Sequence, residues 1–188
     1  MFVSHRTRLR PETSVLVVVD LQEPLLRVIH DRERLLGNVR LLIESANVLG
    51  IPIVATTQNA ERLGELPVSL TELLPPDAPI LNKMAFSCWG VVEPLLLPER
   101  RQVVLCGVET HICISQTALD LKANGFDPHV VADATSARTL EKHKLGMERI
   151  RDSDALPCAA EAAVYEWLGD ASRPEFKAIL AIVKSLPT

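Results

Sequence analysis

Residues 14–20 read Ser-Val-Leu-Val-Val-Val-Asp: five consecutive apolar residues, four of them β-branched, closed by an acid. A strand with one wet face alternates apolar with polar residues, whereas an unbroken β-branched run suits a strand buried on both faces. The run therefore predicts a strand over 14–19 with Asp20 at its C-terminal end. Immediately beyond, positions 35, 36, 39, 42, 43, 46 and 49 are apolar at spacings of three and four, and Gly50 follows. That spacing predicts an amphipathic helix over 31–49 with a glycine stop.

The same alternation continues down the chain. Short apolar segments at 51–55, 79–81, 102–106, 128–132 and 155–158 predict further strands, with Pro52 tolerable only near a strand start. Helical segments are expected at 69–74, 91–97, 112–123, 138–151, 160–168 and 174–184; Asn124-Gly125 would close the third and Pro174 open the last. The stretch 56–79 is rich in Pro, Gly, Thr and Asn and reads as an active-site loop. Strands alternating with helices predict a three-layer α/β fold. Its sheet should be doubly wound and mostly parallel, with about six strands in a single domain spanning 1–188 (core about 13–185).

Composition narrows the function classes. Apolar residues at 47% and charged residues at 23% are an ordinary globular balance. A net charge of −4 with dispersed Lys and Arg leaves no electrostatic footprint for nucleic acid. No apolar run reaches about 18 residues, and the basic N-terminal segment lacks the apolar stretch of a signal peptide. A cytoplasmic protein with no membrane partner is expected. Four cysteines, Cys88, Cys106, Cys113 and Cys158, occur without a CxxC pair or histidines at metal-ligand spacing, so neither zinc nor a disulfide framework is indicated. Isolated thiols are usually small core hydrophobes.

Three reactive side chains nevertheless follow three different strands: Asp20, Lys83 and Cys113. In doubly wound sheets, sites gather at the carboxyl ends of strands near the topological switch point. Cys113 also falls in the first turn of an expected helix, whose N-terminus, together with a lysine ammonium, would favour the thiolate. Asp20 fits a general base, Cys113 a nucleophile and Lys83 a charge partner. Bland readings stand beside these: Asp20 as a helix cap, Lys83 as a structural ion-pair member, Cys113 as a buried spacer. Gln22, Asn59, Phe86 and Trp89 are candidate pocket residues, since two amides and an aromatic pair suit a small carbonyl ligand. For Cys88 a structural role is favoured.

Residues 106–118, Cys-Gly-Val-Glu-Thr-His-Ile-Cys-Ile-Ser-Gln-Thr-Ala, resemble the nucleophile motif of isochorismatase-like cysteine hydrolases. Val-Asp-Leu-Gln at 19–22 resembles that family's first-strand motif, and Asn82-Lys83 with Phe86-Ser87 its lysine segment. The resemblance runs from about residue 13 to the C-terminus. It implies catalytic Asp20, Lys83 and Cys113, a cis peptide bond between Val108 and Glu109, and an oxyanion hole from the backbone N–H groups of Glu109 and Cys113.

Departures from the family sharpen the reading. Isochorismatases proper, which cleave a vinyl ether, characteristically lack the nucleophilic cysteine, which disfavours that reaction here. Nicotinamidases bind a metal through an Asp and several His ahead of the lysine segment, whereas 56–82 holds no His and only one Asp, Asp77. The resemblance is therefore nearest the metal-free YcaC-like and isochorismatase-domain-containing branch. It implies no cofactor, a small-molecule amide substrate, and assembly into a homo-oligomer. The alternatives are a catalytically silent binding protein of the same fold and, more weakly, a redox sensor at Cys113.

Overall fold

Strand β1 (Ser14–Val19) is buried along its whole length, and its neighbours explain why. In the computed structural model, which describes residues 8–185, it lies at the centre of a six-stranded sheet of order β3-β2-β1-β4-β5-β6, every pairing parallel. His5 and the start of the basic N-terminal segment lie outside the described residues. The other strands are β2 (Ile53–Gln58), β3 (Ile80–Lys83), β4 (Gln102–Val108), β5 (Asp127–Ser136) and β6 (Leu156–Cys158). Their connections carry α1 (Glu23–Leu26), α2 (Arg32–Val48), α3 (Ala60–Leu63), α4 (Val68–Thr71), α5 (Trp89–Val92), α6 (Ser115–Ala123), α7 (Leu140–Asp152), α8 (Ala160–Leu168) and α9 (Phe176–Lys184).

Side chains alternate across a strand, so one strand feeds two cores. Leu16 and Val18 of β1 pack with α2, α8 and α9 through Leu35, Val39, Leu42, Ala163, Val164 and Ile179. Val15, Val17 and Val19 face the opposite side, against Ile114, Ala118, Leu121, Met147 and Ile150. Each side chain buried here contributes about 1.5–3 kcal/mol, which is why the central strands are nearly all Val, Leu and Ile. The three-layer, doubly wound expectation holds, with the sheet wholly rather than mostly parallel.

Differences lie at element ends. β2 runs to Gln58 rather than 55, because Thr56, Thr57 and Gln58 pair with Leu81, Asn82 and Lys83 of β3. The first three residues of the expected loop are thus strand, and Lys83 is the last residue of β3 rather than its successor. β5 continues to Ser136, pairing Thr135 and Ser136 with Gly107 and Val108 after a register shift. The loop helix forms over Val68–Thr71 instead of 69–74, and α5 begins at Trp89 ahead of the expected 91.

The largest difference concerns the segment bearing Cys113. Residues Thr110–Ile114 form a π-turn, and regular α-helix begins only at Ser115. Its signature is the bond from Ile114 N–H to the Glu109 carbonyl at 3.3 Å, five residues back. Such wide turns recur at functional sites.

Candidate functional site

The sheet order reverses direction between β1 and β4, so this is the switch point, and Asp20 and Cys113 follow those two strands. Lys83 reaches across from the edge strand β3. Its ammonium lies 2.7 Å from Asp20 Oδ2 in an ion pair whose side chains are 1% and 0% exposed. The Cys113 residue is 7% exposed. The three predicted side chains are thus brought together, and their electrostatics are linked: Asp20 and Lys83 both act on the Cys113 thiol.

An ammonium has three protons to donate. Lys83 Nζ gives them to Gln58 Oε1 at 2.6 Å, the Phe86 carbonyl at 3.0 Å and the Ala85 carbonyl at 3.2 Å. The contact with Asp20 Oδ2 is therefore one of charge with charge. Among the described residues no donor meets Oδ2 in hydrogen-bonding geometry, and the Lys83 ammonium faces it at 2.7 Å. The other oxygen, Oδ1, accepts the Thr56 hydroxyl at 2.7 Å.

The Cys113 thiol is pushed up to about 12. Burial is the main cause; the Asp20 charge adds to it and Lys83 opposes it. Lys83 favours the thiolate, as expected, but it is outweighed. Desolvation and a facing carboxylate outweigh one ammonium already shared with that carboxylate, so the resting sulfur keeps its proton.

The turn that carries Cys113 is pinned from α7 and the residues before it. Glu109 accepts from the backbone N–H and Nε of Arg138 at 3.0 and 3.1 Å, and Thr110 Oγ1 is hydrogen-bonded to His143 Nδ1 at 2.9 Å. Gly146 approaches so closely that an added Cβ would stand 2.8 Å from the backbone of His111. The Val108–Glu109 peptide bond is cis.

Of the four candidate pocket residues, Gln22, Asn59 and Phe86 lie around Lys83 and its partner Gln58, and Trp89 turns away. Gln22 is fully buried and its amide is spent on backbone: Nε2 donates to the carbonyls of Gln58 at 3.0 Å and Gly64 at 2.6 Å, and Oε1 accepts from Gln58 N–H at 2.7 Å. Asn59 follows β2 in a left-handed conformation, φ 44°, with its N–H on the Lys83 carbonyl. Phe86 offers its carbonyl to Lys83 while the residue as a whole is 54% exposed. Trp89 turns away onto Phe126, ring centroids 5.8 Å apart, and lines a separate cavity of about 350 Å³ with Arg101 and Glu93. Residues the sequence did not single out stand closer: Thr56 on Asp20, Gln58 on Lys83, and Thr117, which joins the backbones of Cys88 and Cys113. Among the described residues no three His, Cys, Asp or Glu side chains are grouped to hold a metal ion.

A parallel sheet with an acid, a lysine and a cysteine gathered at its switch point is an α/β fold of hydrolase type. The chain belongs to the isochorismatase family, whose domain model matches residues 14–162. It is 38% identical over 183 residues to the secreted isochorismatase effector Isc1 of Phytophthora sojae, covering 94% of this chain and 87% of that one. Among solved structures it superposes on the MAR1 ribonuclease of Caenorhabditis elegans with a TM-score of 0.91 at 32% identity, covering 97% and 95% of the two chains. The YcaC gene product of Escherichia coli, described as an octameric hydrolase of unknown specificity, shares the fold with a TM-score of 0.83 at 21% identity, covering 98% and 100%. Among the described residues no helix is long and apolar enough to cross a membrane.

Proposed function

We propose that this protein is a metal-free cysteine hydrolase that cleaves the C–N bond of a small amide through a thioester acyl-enzyme. The observation that carries the reading is the buried Asp20–Lys83 ion pair at 2.7 Å, with the Asp20 carboxylate acting on a still-protonated Cys113. Asp20 takes the Cys113 proton, and the sulfur attacks the amide carbon. The backbone N–H groups of Glu109 and Cys113 hold the resulting oxyanion. The C–N bond then breaks as Asp20 passes its proton to the departing nitrogen. A water attacks the thioester and gives a proton to Asp20; the C–S bond breaks, and Asp20 returns that proton to sulfur. Lys83 orients Asp20 and balances its charge.

A cysteine at position 113 speaks against vinyl ether cleavage. A net charge of −4 gives little support to carrying the ribonuclease name of the nematode protein across to this chain. Four free thiols suit a reducing, cytoplasmic setting, and the octameric state described for YcaC supports assembly into a homo-oligomer.

The test is a panel of small primary amides assayed for ammonia release with the wild type and Cys113→Ala. Turnover by the wild type that disappears in Cys113→Ala is expected. Full turnover by Cys113→Ala would overturn the mechanism, and no release from any amide would favour a silent binding protein.

A further inference from the structure

We propose that Thr56 and Cys88 form a hydrogen-bonded arm that fixes the Asp20 carboxylate and leaves only Oδ2 to receive the Cys113 proton. Both would be positioning residues, and the inference rests on the function proposed above.

The argument is one of proton direction. Asp20 has the left-handed backbone angle φ 53°, which a non-glycine residue keeps only where its surroundings hold it. Thr56, fully buried on the neighbouring strand, grips it twice. Its carbonyl accepts the Asp20 N–H at 3.1 Å, and its hydroxyl lies 2.7 Å from Asp20 Oδ1. An ionised carboxylate can only accept, so the single hydroxyl proton of Thr56 points to Oδ1. The other neighbour of that hydroxyl is Cys88 Sγ at 3.6 Å. With the Thr56 proton committed, the thiol must be the donor, and the chain runs Cys88 S–H to Thr56 Oγ1 to Asp20 Oδ1.

Two further observations fit a thiol kept as a donor. Cys88 is fully buried, and its thiol is pushed up to about 11, first by burial and then by the Asp20 charge, with Lys83 opposing. Its backbone N–H donates to Thr117 Oγ1 at 2.9 Å, and that hydroxyl donates to the Cys113 carbonyl at 2.7 Å. The arm is therefore tied at one end to the base and at the other to the residue that gives up its proton. The ionisable groups acting on this cluster are Asp20, Lys83, Cys88 and Cys113.

The experiment follows the alkylation of Cys113 by iodoacetamide across pH, read by mass spectrometry on the whole protein, and needs no substrate. The rate should fall on the acid side, and the midpoint of that limb is the quantity compared between variants. Thr56→Val removes the hydroxyl at nearly constant volume. Losing a hydrogen bond to a charged group should raise the midpoint of that acid limb by about one to two pH units, and Thr56→Ser should restore it. Cys88→Ala should raise it by a smaller amount and Cys88→Ser restore it, which keeps the test decisive if Thr56→Val does not fold. Asp20→Asn is the control for the underlying reading. Should it leave the acid limb in place, Asp20 is not the base and the proposed function fails. Should Asp20→Asn abolish the limb while Thr56→Val and Cys88→Ala leave the midpoint where it was, this inference alone is overturned.

Discussion

Gly107 sits where β4 passes β1, paired in register with Val19, the residue that leads into Asp20. Its φ is +117°, and a Cβ added there would stand 2.1 Å from the Val19 carbonyl oxygen and 2.8 Å from the Val19 carbonyl carbon and nitrogen. All three are backbone atoms of a buried strand, so no rotamer change relieves the contact. Gly107→Ala must part the two central strands or twist one of them. Overpacking of this kind costs about 1–3 kcal/mol, and a strained backbone angle adds about 1–3 kcal/mol. Together they predict a loss of about 2–6 kcal/mol against a total stability of about 5–15 kcal/mol for a domain of ordinary size. Urea unfolding followed by tryptophan fluorescence measures it, since Trp167 is fully buried. Gly90→Ala serves as the control: its added Cβ meets nothing within 4 Å, and its stability should be unchanged. The folded remainder of Gly107→Ala should also alkylate Cys113 more slowly, because a displacement of about 1 Å at a reacting centre can cost about 10²-fold. A loss below about 1 kcal/mol would refute the claim that β1 and β4 cannot separate here.

Two further outcomes follow from the charges. Lys83→Met strips the partner from a buried carboxylate and should destabilise the fold by about 3–5 kcal/mol; adding Asp20→Asn should recover a good part of that, as a double-mutant cycle in urea would record. Alkaline pH should weaken the fold through its thiols, since Cys88 is pushed up to about 11 and Cys113 and Cys158 to about 12 from an ordinary 9.0, in each case first by burial. The raised values mean that the folded state holds protons the unfolded state releases. Their contribution is therefore complete below pH 9 and is lost as pH rises through about 11 to 12. Unfolding midpoints at pH 8 and pH 10 should differ in that direction, and less so in Cys158→Ala.

The central strands were readable because burial on both faces leaves a compositional mark: β1 and the start of β4 are almost wholly Val and Leu. Strand ends were not, because Thr56, Thr57, Gln58, Thr135 and Ser136 are polar yet still pair, and pairing depends on a neighbouring strand rather than on local hydrophobicity. The π-turn was hidden for a related reason: its apolar spacing does not differ from that of a helix start. At the site, Asp20, Lys83 and Cys113 could be named because each follows or ends a recognisable strand. Thr56 and Gln58 could not, since their roles come from pairing with Val19, next to Asp20, and with Lys83 in a parallel register that no single segment encodes. Cys113's retained proton depends on total burial, which likewise emerges only when the layers close.

Lys83 donates to Gln58, Ala85 and Phe86 and faces Asp20 Oδ2 at 2.7 Å, so its protons are already engaged. In the proposed mechanism the cluster then has one transferable hydrogen, shared between sulfur and carboxylate, and its overall charge stays at zero whichever of the two holds it. Such a centre works in single-proton strokes. A leaving group that needs one proton at departure, and a nucleophile that surrenders one on arrival, match that stroke. A transformation demanding two at once would have to draw the second from solvent.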